Sequence, residues 1–426
     1  MKRWDLQSNQ IALVDINNFY VSSERAFDPC IRNKPVVVYS NNDGCVIARC
    51  AEVKAMNVKM GTPVFEVRKL FEEHGVVARS SNYTLYHDMS CRFVASLEQF
   101  CPDVEQYSID ESFLHFRGFG EQLAAHCQRL VAAVRQWTSM PCCAGIAPTR
   151  TLTKVCNHFA KTLGIPGGVL QLSSEYQRQQ LLKQLPVSEV WGIGRRLAQR
   201  FTPIGIETAW DLSVSHIPTM RKAFGVTIER TIRELQGTPC IELTSFDEAK
   251  NEIVSGRMFG QHITDFDGLM ASIANHVLLT CEKLEAQNGV AGRLAVSIQG
   301  RAPGGGWLEQ SAYTALSPAS SAPQVLAQAA RSCLREAFVR GHEYRRAAVM
   351  LSTLEIASES QSDLFGVNSA KADGVANCLS AVNKRFGRGK VVLGSAKLSE
   401  NWKMKREFLS PAYTTDFSQI PVARAH

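Results

Sequence analysis

The chain has 426 residues, 45% of them hydrophobic and 20% charged, and carries a net charge of +7. That length exceeds one small core and predicts two to four globular domains. No apolar run approaches the roughly 18–20 residues of a membrane span, and the apolar stretch 11–14, after Lys2, Arg3 and Asp5, is too short for a secretory signal, so the expected location is cytoplasmic.

In chain order, residues 11–16 form the first predicted strand. "KPVVVYSNNDGCVIAR" (34–49) reads as two strands around an Asn-Asn-Asp-Gly turn. Helices are expected over 49–57, 63–73 and 82–99, then a strand over 104–116 that breaks near residues 110–111. A helix over 119–138, a strand near 142–147 and a helix over 151–163 complete an α+β domain, with helices packed on an antiparallel sheet. Short helices punctuated by Gly-x-Gly follow over 184–240. From about 252 a further two-helix α+β unit is expected: strands 253–259, 292–299 and 347–354, helices 266–286 and 322–340, and a loop at 300–306. The helix at 266–286 places Leu269, Ile273, Val277, Cys281 and Leu284 on one face. The fold class expected is α+β multidomain.

The 13 cysteines are scattered without a CxxC pair. They read as reduced core residues, with Cys91, Cys127 and Cys281 in apolar contexts. Charge is placed unevenly. Residues 366–426 hold ten Lys/Arg against four acids, a net +6, beyond the Ser/Glu/Gln-rich stretch "ASESQSD". Such a basic tail suggests contact with a polyanion, with a merely solvated tail as the alternative.

Asp110 and Glu111 lie side by side in "YSIDES" (107–112), within a segment that otherwise reads as buried strand. Successive strand residues point to opposite faces, so both acids face one site only if the chain bends there. Asp15 ends the first strand candidate in "ALVDINNFY". If the strands are neighbours, three carboxylates converge, and their repulsion calls for hard cations such as two Mg²⁺ ions. The residues alone leave a second reading open, in which Asp15 caps a turn and Asp110 and Glu111 flank a solvated bend.

Five motifs occur in order: "DINNFYVSSE" (15–24), "SNNDGCVIAR" (40–49), "YSIDES", "GIAPTRTLTKVCNHFAK" (145–161) and "VWGIGRR" (190–196). Together they resemble the Y-family translesion DNA polymerases, and within them the UmuC type, from about residue 11 to the tail. The resemblance implies a right-hand-like fold. Its expected layout is palm at 1–35 and 81–180, small fingers at 36–80, and a helix-hairpin-helix thumb at 181–243. An α+β little finger at 244–355, a linker at 356–370 and a basic tail at 371–426 follow.

The resemblance also implies that Asp15, Asp110 and Glu111, with the Ile16 backbone carbonyl, hold two Mg²⁺ ions. Tyr20 matches the steric gate that clashes with a 2′-OH. Lys161 and Lys54 match triphosphate-binding positions, although Ala51 stands where many relatives carry Tyr. Gly192, Gly194, Arg195 and Arg196 match a hairpin that approaches DNA phosphates through backbone N–H groups and charge. Gln361, Leu364 and Phe365 of "QSDLF" resemble the peptide that docks on a sliding clamp. Residues 241–355 carry ten Lys/Arg and twelve acids, so a DNA-gripping face there must come from charge placement.

The implied activity is error-prone, template-directed deoxynucleotide transfer in the SOS response. Primer-template DNA, deoxynucleoside triphosphates, the clamp, a processed UmuD-type dimer and a RecA filament are the implied partners, some of them meeting the tail. Deleting 366–426 is expected to spare basal DNA binding. Two other readings compete: a nuclease or other nucleotidyl transferase on the same carboxylates, and a non-catalytic lesion-binding scaffold. Tyr20 and the DNA-gripping units weigh against the first, and the three carboxylates with Lys161 against the second.

Overall fold

The computed structural model describes residues 10–241, 249–357, 381–387, 389–397, 403–420 and 422, with single positions 374 and 378. These fall into two compact units. One holds 10–40, 44–241 and the described residues from 408 onward; the other holds 41–43 and 249–407. No helix among the described residues is long and apolar enough to cross a membrane.

In the first unit β1 (Gln10–Ile16) runs into α1 (Phe19–Phe27). Next come β2 (Val36–Tyr39), β3 (Val46–Arg49), α2 (Ala51–Ala55), α3 (Val64–Glu73) and β4 (Val77–Ser80). The three strands form a small sheet in the order β3-β2-β4. All four residues of β2 are buried, as its unbroken β-branched run requires of a central strand. The turn after it sets Asn42 and Asp43 at positive φ, which short polar side chains tolerate.

Then follow α4 (Tyr83–Glu98), β5 (Val104–Gln106), β6 (Glu111–Phe116), α5 (Leu123–Thr138), β7 (Cys142–Ala147), α6 (Arg150–Thr162) and β8 (Val169–Gln171). Five of these strands make the main sheet, in the order β5-β6-β1-β7-β8. It departs from the expected all-antiparallel sheet at one edge, where β8 pairs parallel to β7. Both faces are covered. Ala12, Val14, Leu114 and Ile146 pack with Phe93 of α4 and Leu130 of α5. On the opposite face α6 lies hard against the sheet: a Cβ on Gly145 would meet the Thr153 carbonyl oxygen at 2.2 Å and the Asn157 nitrogen at 2.3 Å. The Asn157 side chain fastens that contact by donating to the Cys143 carbonyl at 3.0 Å. Helices α7 (Glu175–Gln184), α8 (Arg195–Phe201), α9 (Ala209–Ser213), α10 (Ile217–Phe224) and α11 (Val226–Leu235) share a core with the outer side of α6.

The second unit is a four-stranded antiparallel sheet, ordered β11-β10-β12-β9, with two helices. Its elements are β9 (Ile253–Ile263), α12 (Phe266–Ala286), β10 (Gly289–Arg301), β11 (Trp307–Ser320), α13 (Pro323–Ala337) and β12 (Glu343–Ile356). The five residues predicted to share a face of α12 are all in its core. Strand β11 was not expected: apart from Ala312 its side chains are exposed or half-buried, so no apolar period marks it.

All 13 cysteines are unpaired; Cys127 and Cys281 are buried, but Cys91 is exposed on α4, against expectation. The C-terminal residues also differ from a solvated tail. Ala396 is buried in the core of the second unit. Ser410 and Tyr413 are buried in the first, and Ser80 forms a β-bridge with Leu409. Deleting 366–426 therefore strips both units of packing and does not leave a neutral truncation. The peptide bearing Gln361, Leu364 and Phe365 lies outside the described residues.

Candidate active site

Strand register places the acids. In β1, Leu13 and Asp15 face α6 while Val14 and Ile16 face the other layer. Asp15 stands directly opposite Glu111 of β6, and residues paired in register share a face. The chain bends over 108–110, and the Tyr107 and Ser108 nitrogens both donate to the Glu111 carbonyl. Asp110 sits in that turn, held by its own carboxylate to the Ser108 hydroxyl at 2.6 Å. Its carbonyl accepts from the Ile16 nitrogen at 2.9 Å, which ties the turn to the end of β1.

Helix α6 answers this edge with charge. Arg150, Lys154 and Lys161 project toward the sheet, and each meets one acid. Arg150 holds Glu105. Lys154 Nζ lies 3.0 and 2.9 Å from the two Glu111 oxygens. Lys161 Nζ is 2.5 Å from Asp15 Oδ1. Burial pushes Asp15 up to about 7 against the pull of Lys161, and the charges of Glu111 and Asp110 add to the rise. Lys154 is also enclosed by aromatic faces, 4.5 Å from the Tyr107 ring and 5.4 Å from that of Trp191.

Lys54, on α2, donates to Asn18 Oδ1 at 2.6 Å. Burial depresses its pKa, and the charges of Arg49 and Lys161 depress it further, while Asp15 opposes them, so Lys54 lies within electrostatic reach of two other cations and of Asp15. Neither Arg49 nor Lys154 was singled out from the sequence. Arg49 ends the quoted motif "SNNDGCVIAR", and Lys154 stands seven residues, two helical turns, before Lys161.

Tyr20 occupies the first turn of α1. Its ring stacks on Tyr86 with centroids 4.2 Å apart and meets Tyr83 edge-on at 6.2 Å. Burial pushes its hydroxyl up to about 12, with Tyr83 and Asp110 contributing. Gly192, Gly194, Arg195 and Arg196 are exposed at the start of α8, and Gly192 has a φ of +84°. Their neighbour Trp191 turns inward and donates from Nε1 to the Tyr107 hydroxyl at 3.2 Å.

For a divalent cation the donors are of the right kind: carboxylate oxygens on adjoining strand ends, where Glu111 and Asp110 repel Asp15 against the pull of Lys161. Among the described residues no three ligating side chains close into a coordination sphere; Lys161 and Lys154 engage two of the three carboxylates.

Models of the impB/mucB/samB family match residues 14–158, and of that family's C-terminal domain, 250–364. The IMS family HHH motif matches 177–206, and a domain of unknown function matches 374–423. Protein UmuC of Salmonella typhimurium is 38% identical over 419 residues, covering 96% of this chain and 99% of that one. Protein MucB of Escherichia coli is 38% identical over 419 residues, covering 97% and 99%. Among solved structures, a Y-family DNA polymerase chimera of Dbh and Dpo4 matches with a TM-score of 0.65 at 19% identity, covering 82% of this chain and 99% of that one. DinB from Sulfolobus solfataricus matches with 0.50 at 20% identity, covering 80% and 98%.

The fold is that of a Y-family DNA polymerase, with palm, fingers, helix-hairpin-helix thumb and little finger. The chain belongs to the impB/mucB/samB family, the UmuC type of these enzymes.

Proposed function

We propose that Asp15, Asp110 and Glu111 are the catalytic carboxylates with which this chain adds deoxynucleotides to a primer opposite damaged template. Membership of the family makes it an error-prone translesion DNA polymerase. The observation that carries the site is the register pairing of Asp15 with Glu111, with Asp110 adjacent in the turn, beneath Lys154 and Lys161.

Asp15, Asp110, Glu111 and the Ile16 carbonyl would hold Mg²⁺, two ions in our reading, and the bound metal would supply the charge that activates the attacking oxygen and steadies the leaving pyrophosphate. The protein's own residues do the rest. Lys161 is a point charge on a flexible stem, able to exchange a carboxylate for a phosphate oxygen. Lys54 and Arg49 extend that positive field over the triphosphate. With Ala51 lacking any donor, these cations carry the grip. Tyr20 lies under the incoming sugar and clashes with a 2′-OH. The exposed turn at Gly192–Arg196 supports a contact with DNA phosphates that positions the duplex without reading sequence.

The partners follow in two layers. DNA, nucleotides and accessory proteins belong to the family's work. A processed UmuD-type dimer, a RecA filament and a sliding clamp are our finer reading, supported by the UmuC-type motifs and by "QSDLF".

Primer extension across an abasic site, with and without those partners, tests the assignment. Asp110→Ala and Glu111→Ala should each lose nucleotide addition while binding primer-template normally. Extension at the unmodified rate by either variant would remove the catalytic assignment.

A further inference from the structure

The gate residue is not held by its own helix alone. Tyr20 rests its ring on Tyr86, and the Tyr86 hydroxyl donates to Glu24 Oε1 at 2.8 Å. Glu24 lies on α1, one turn beyond Tyr20, and is fully buried. The same oxygen accepts a second hydrogen bond, at 3.1 Å, from the Ser410 hydroxyl. That residue comes from the C-terminal segment, 386 positions further along the chain.

The segment is built in on both sides of this contact. Phe408 exchanges two hydrogen bonds with Ser80, its carbonyl accepting from the Ser80 nitrogen and its nitrogen donating to the Ser80 hydroxyl, both at 3.0 Å. Asn82, which caps the helix bearing Tyr83 and Tyr86, donates to the Ser410 hydroxyl at 3.0 Å and to the Pro411 carbonyl at 3.4 Å. Tyr413 stacks on Phe27 at the far end of α1, with centroids 5.2 Å apart and planes 10° apart. Thus residues 408–413 fasten to both α1, which carries Tyr20, and α4, which carries Tyr86.

A buried carboxylate is costly unless its oxygens are hydrogen-bonded. Besides the two hydroxyl donors, the charge nearest to Glu24 is Arg79, whose Nε is 4.0 Å from Oε2. Removing Ser410 leaves one hydroxyl to satisfy that oxygen, and the remaining donor, Tyr86, is the ring under Tyr20. Burial raises the Glu24 pKa, which the two hydroxyl hydrogen bonds oppose.

We propose that Ser410, Glu24 and Tyr86 form a positioning relay through which the docked C-terminal segment sets the ring of Tyr20 and so the sugar discrimination of the polymerase. The relay rests on the reading of Tyr20 as the steric gate. Its members touch neither substrate nor metal; they act through Tyr20.

The test measures kcat and KM for one deoxynucleotide and its ribonucleotide on the same primer-template. It uses the full-length chain as wild type, Ser410→Ala, Tyr86→Phe, Glu24→Gln and Tyr20→Ala. Ser410→Ala and Tyr86→Phe delete single hydroxyls, and a thermal melt confirms that each variant is folded. Both should lower the deoxy-to-ribo ratio of kcat/KM by about tenfold, the scale on which slight misplacement acts, chiefly by improving use of the ribonucleotide. Glu24→Gln keeps an acceptor oxygen and should retain the wild-type ratio. Ser410→Ala combined with Tyr20→Ala should add nothing to Tyr20→Ala alone.

Ratios within about twofold of wild type in both hydroxyl variants, beside a lost ratio in Tyr20→Ala, would overturn the relay and leave the gate standing. An unchanged ratio in Tyr20→Ala would overturn the gate itself, and the relay with it.

Discussion

The two large sheets of this polymerase share a plan and differ in what covers them. The palm sheet is buried on both faces, by α6 on one side and by α4 and α5 on the other. The little-finger sheet is covered on one face by α12 and α13, and its other face carries Arg293, Arg346, Tyr313, Val254 and Met258. Double burial desolvates Asp15 and raises its pKa, which suits chemistry on a charged edge. Single burial leaves a broad open face. Arg293 lies over Tyr313 at 5.3 Å and Arg346 donates to Gln299, so positive charge is placed there even though residues 241–355 are slightly acidic. In the proposed reading one sheet carries the reaction and the other holds DNA.

The contrast breaks most completely at Gly145. An added Cβ would collide with backbone atoms of α6, so Gly145→Ala should cost about 3 kcal/mol of stability or more and misplace both lysines. A denaturant melt near wild type would show that α6 does not need that approach. Next in size is Lys161. Lys161→Ala should lower kcat/KM for nucleotide by roughly 10²-fold without weakening DNA binding, measured by steady-state extension. An unchanged constant would reassign it to a structural ion pair.

On the holding side, Arg293→Ala with Arg346→Ala should weaken primer-template binding roughly tenfold and reduce the salt slope by about two. The single-turnover rate at saturating DNA should be kept. A lost rate with intact binding would reverse the division between the sheets.

The last expected effect is on stability with pH, not on catalysis or binding. The little finger buries His276, whose pKa is lowered from 6.5 to about 4 by burial, with Arg257, Lys283 and Arg346 contributing. Between those values the unfolded chain takes up the proton and the folded protein does not. The histidine's contribution is therefore intact above pH 6.5 and is lost as pH falls through the window, about 3 kcal/mol in all. His276→Gln should flatten the fall in denaturation midpoint between pH 7 and 5; the same slope in both proteins would exclude it.

What the sequence disclosed follows from the same contrast. Strands β1, β2 and β7 are buried on both faces and write unbroken apolar runs, so Asp15 stood out within one of them. The adjacent acids of "YSIDES" required a bend, and the turn over 108–110 is that bend. Strand β11, an edge strand with one buried side chain, left no pattern. Lys154 and Arg49 were hidden for a different reason. Each is an ordinary surface-like cation in sequence; the register of β1 with β6 and the seat of α6 on Gly145 bring Lys154 to Glu111, and the fold of β3 brings Arg49 to the Val58 carbonyl. The docking of residues 408–413 was the least legible. It uses backbone groups, one serine and one tyrosine, which make no periodic signal, and a surplus of nearby Lys and Arg pointed to a polyanion contact instead.

In the proposed reading a charged edge of the palm sheet performs nucleotide addition. Single-turnover incorporation by Asp15→Asn on a prebound, undamaged primer-template tests it most directly, because the substitution keeps the size of the side chain and removes only its charge. Incorporation should fall by about 10³-fold or more, with the primer-template Kd unchanged. Incorporation at the wild-type rate would contradict the account.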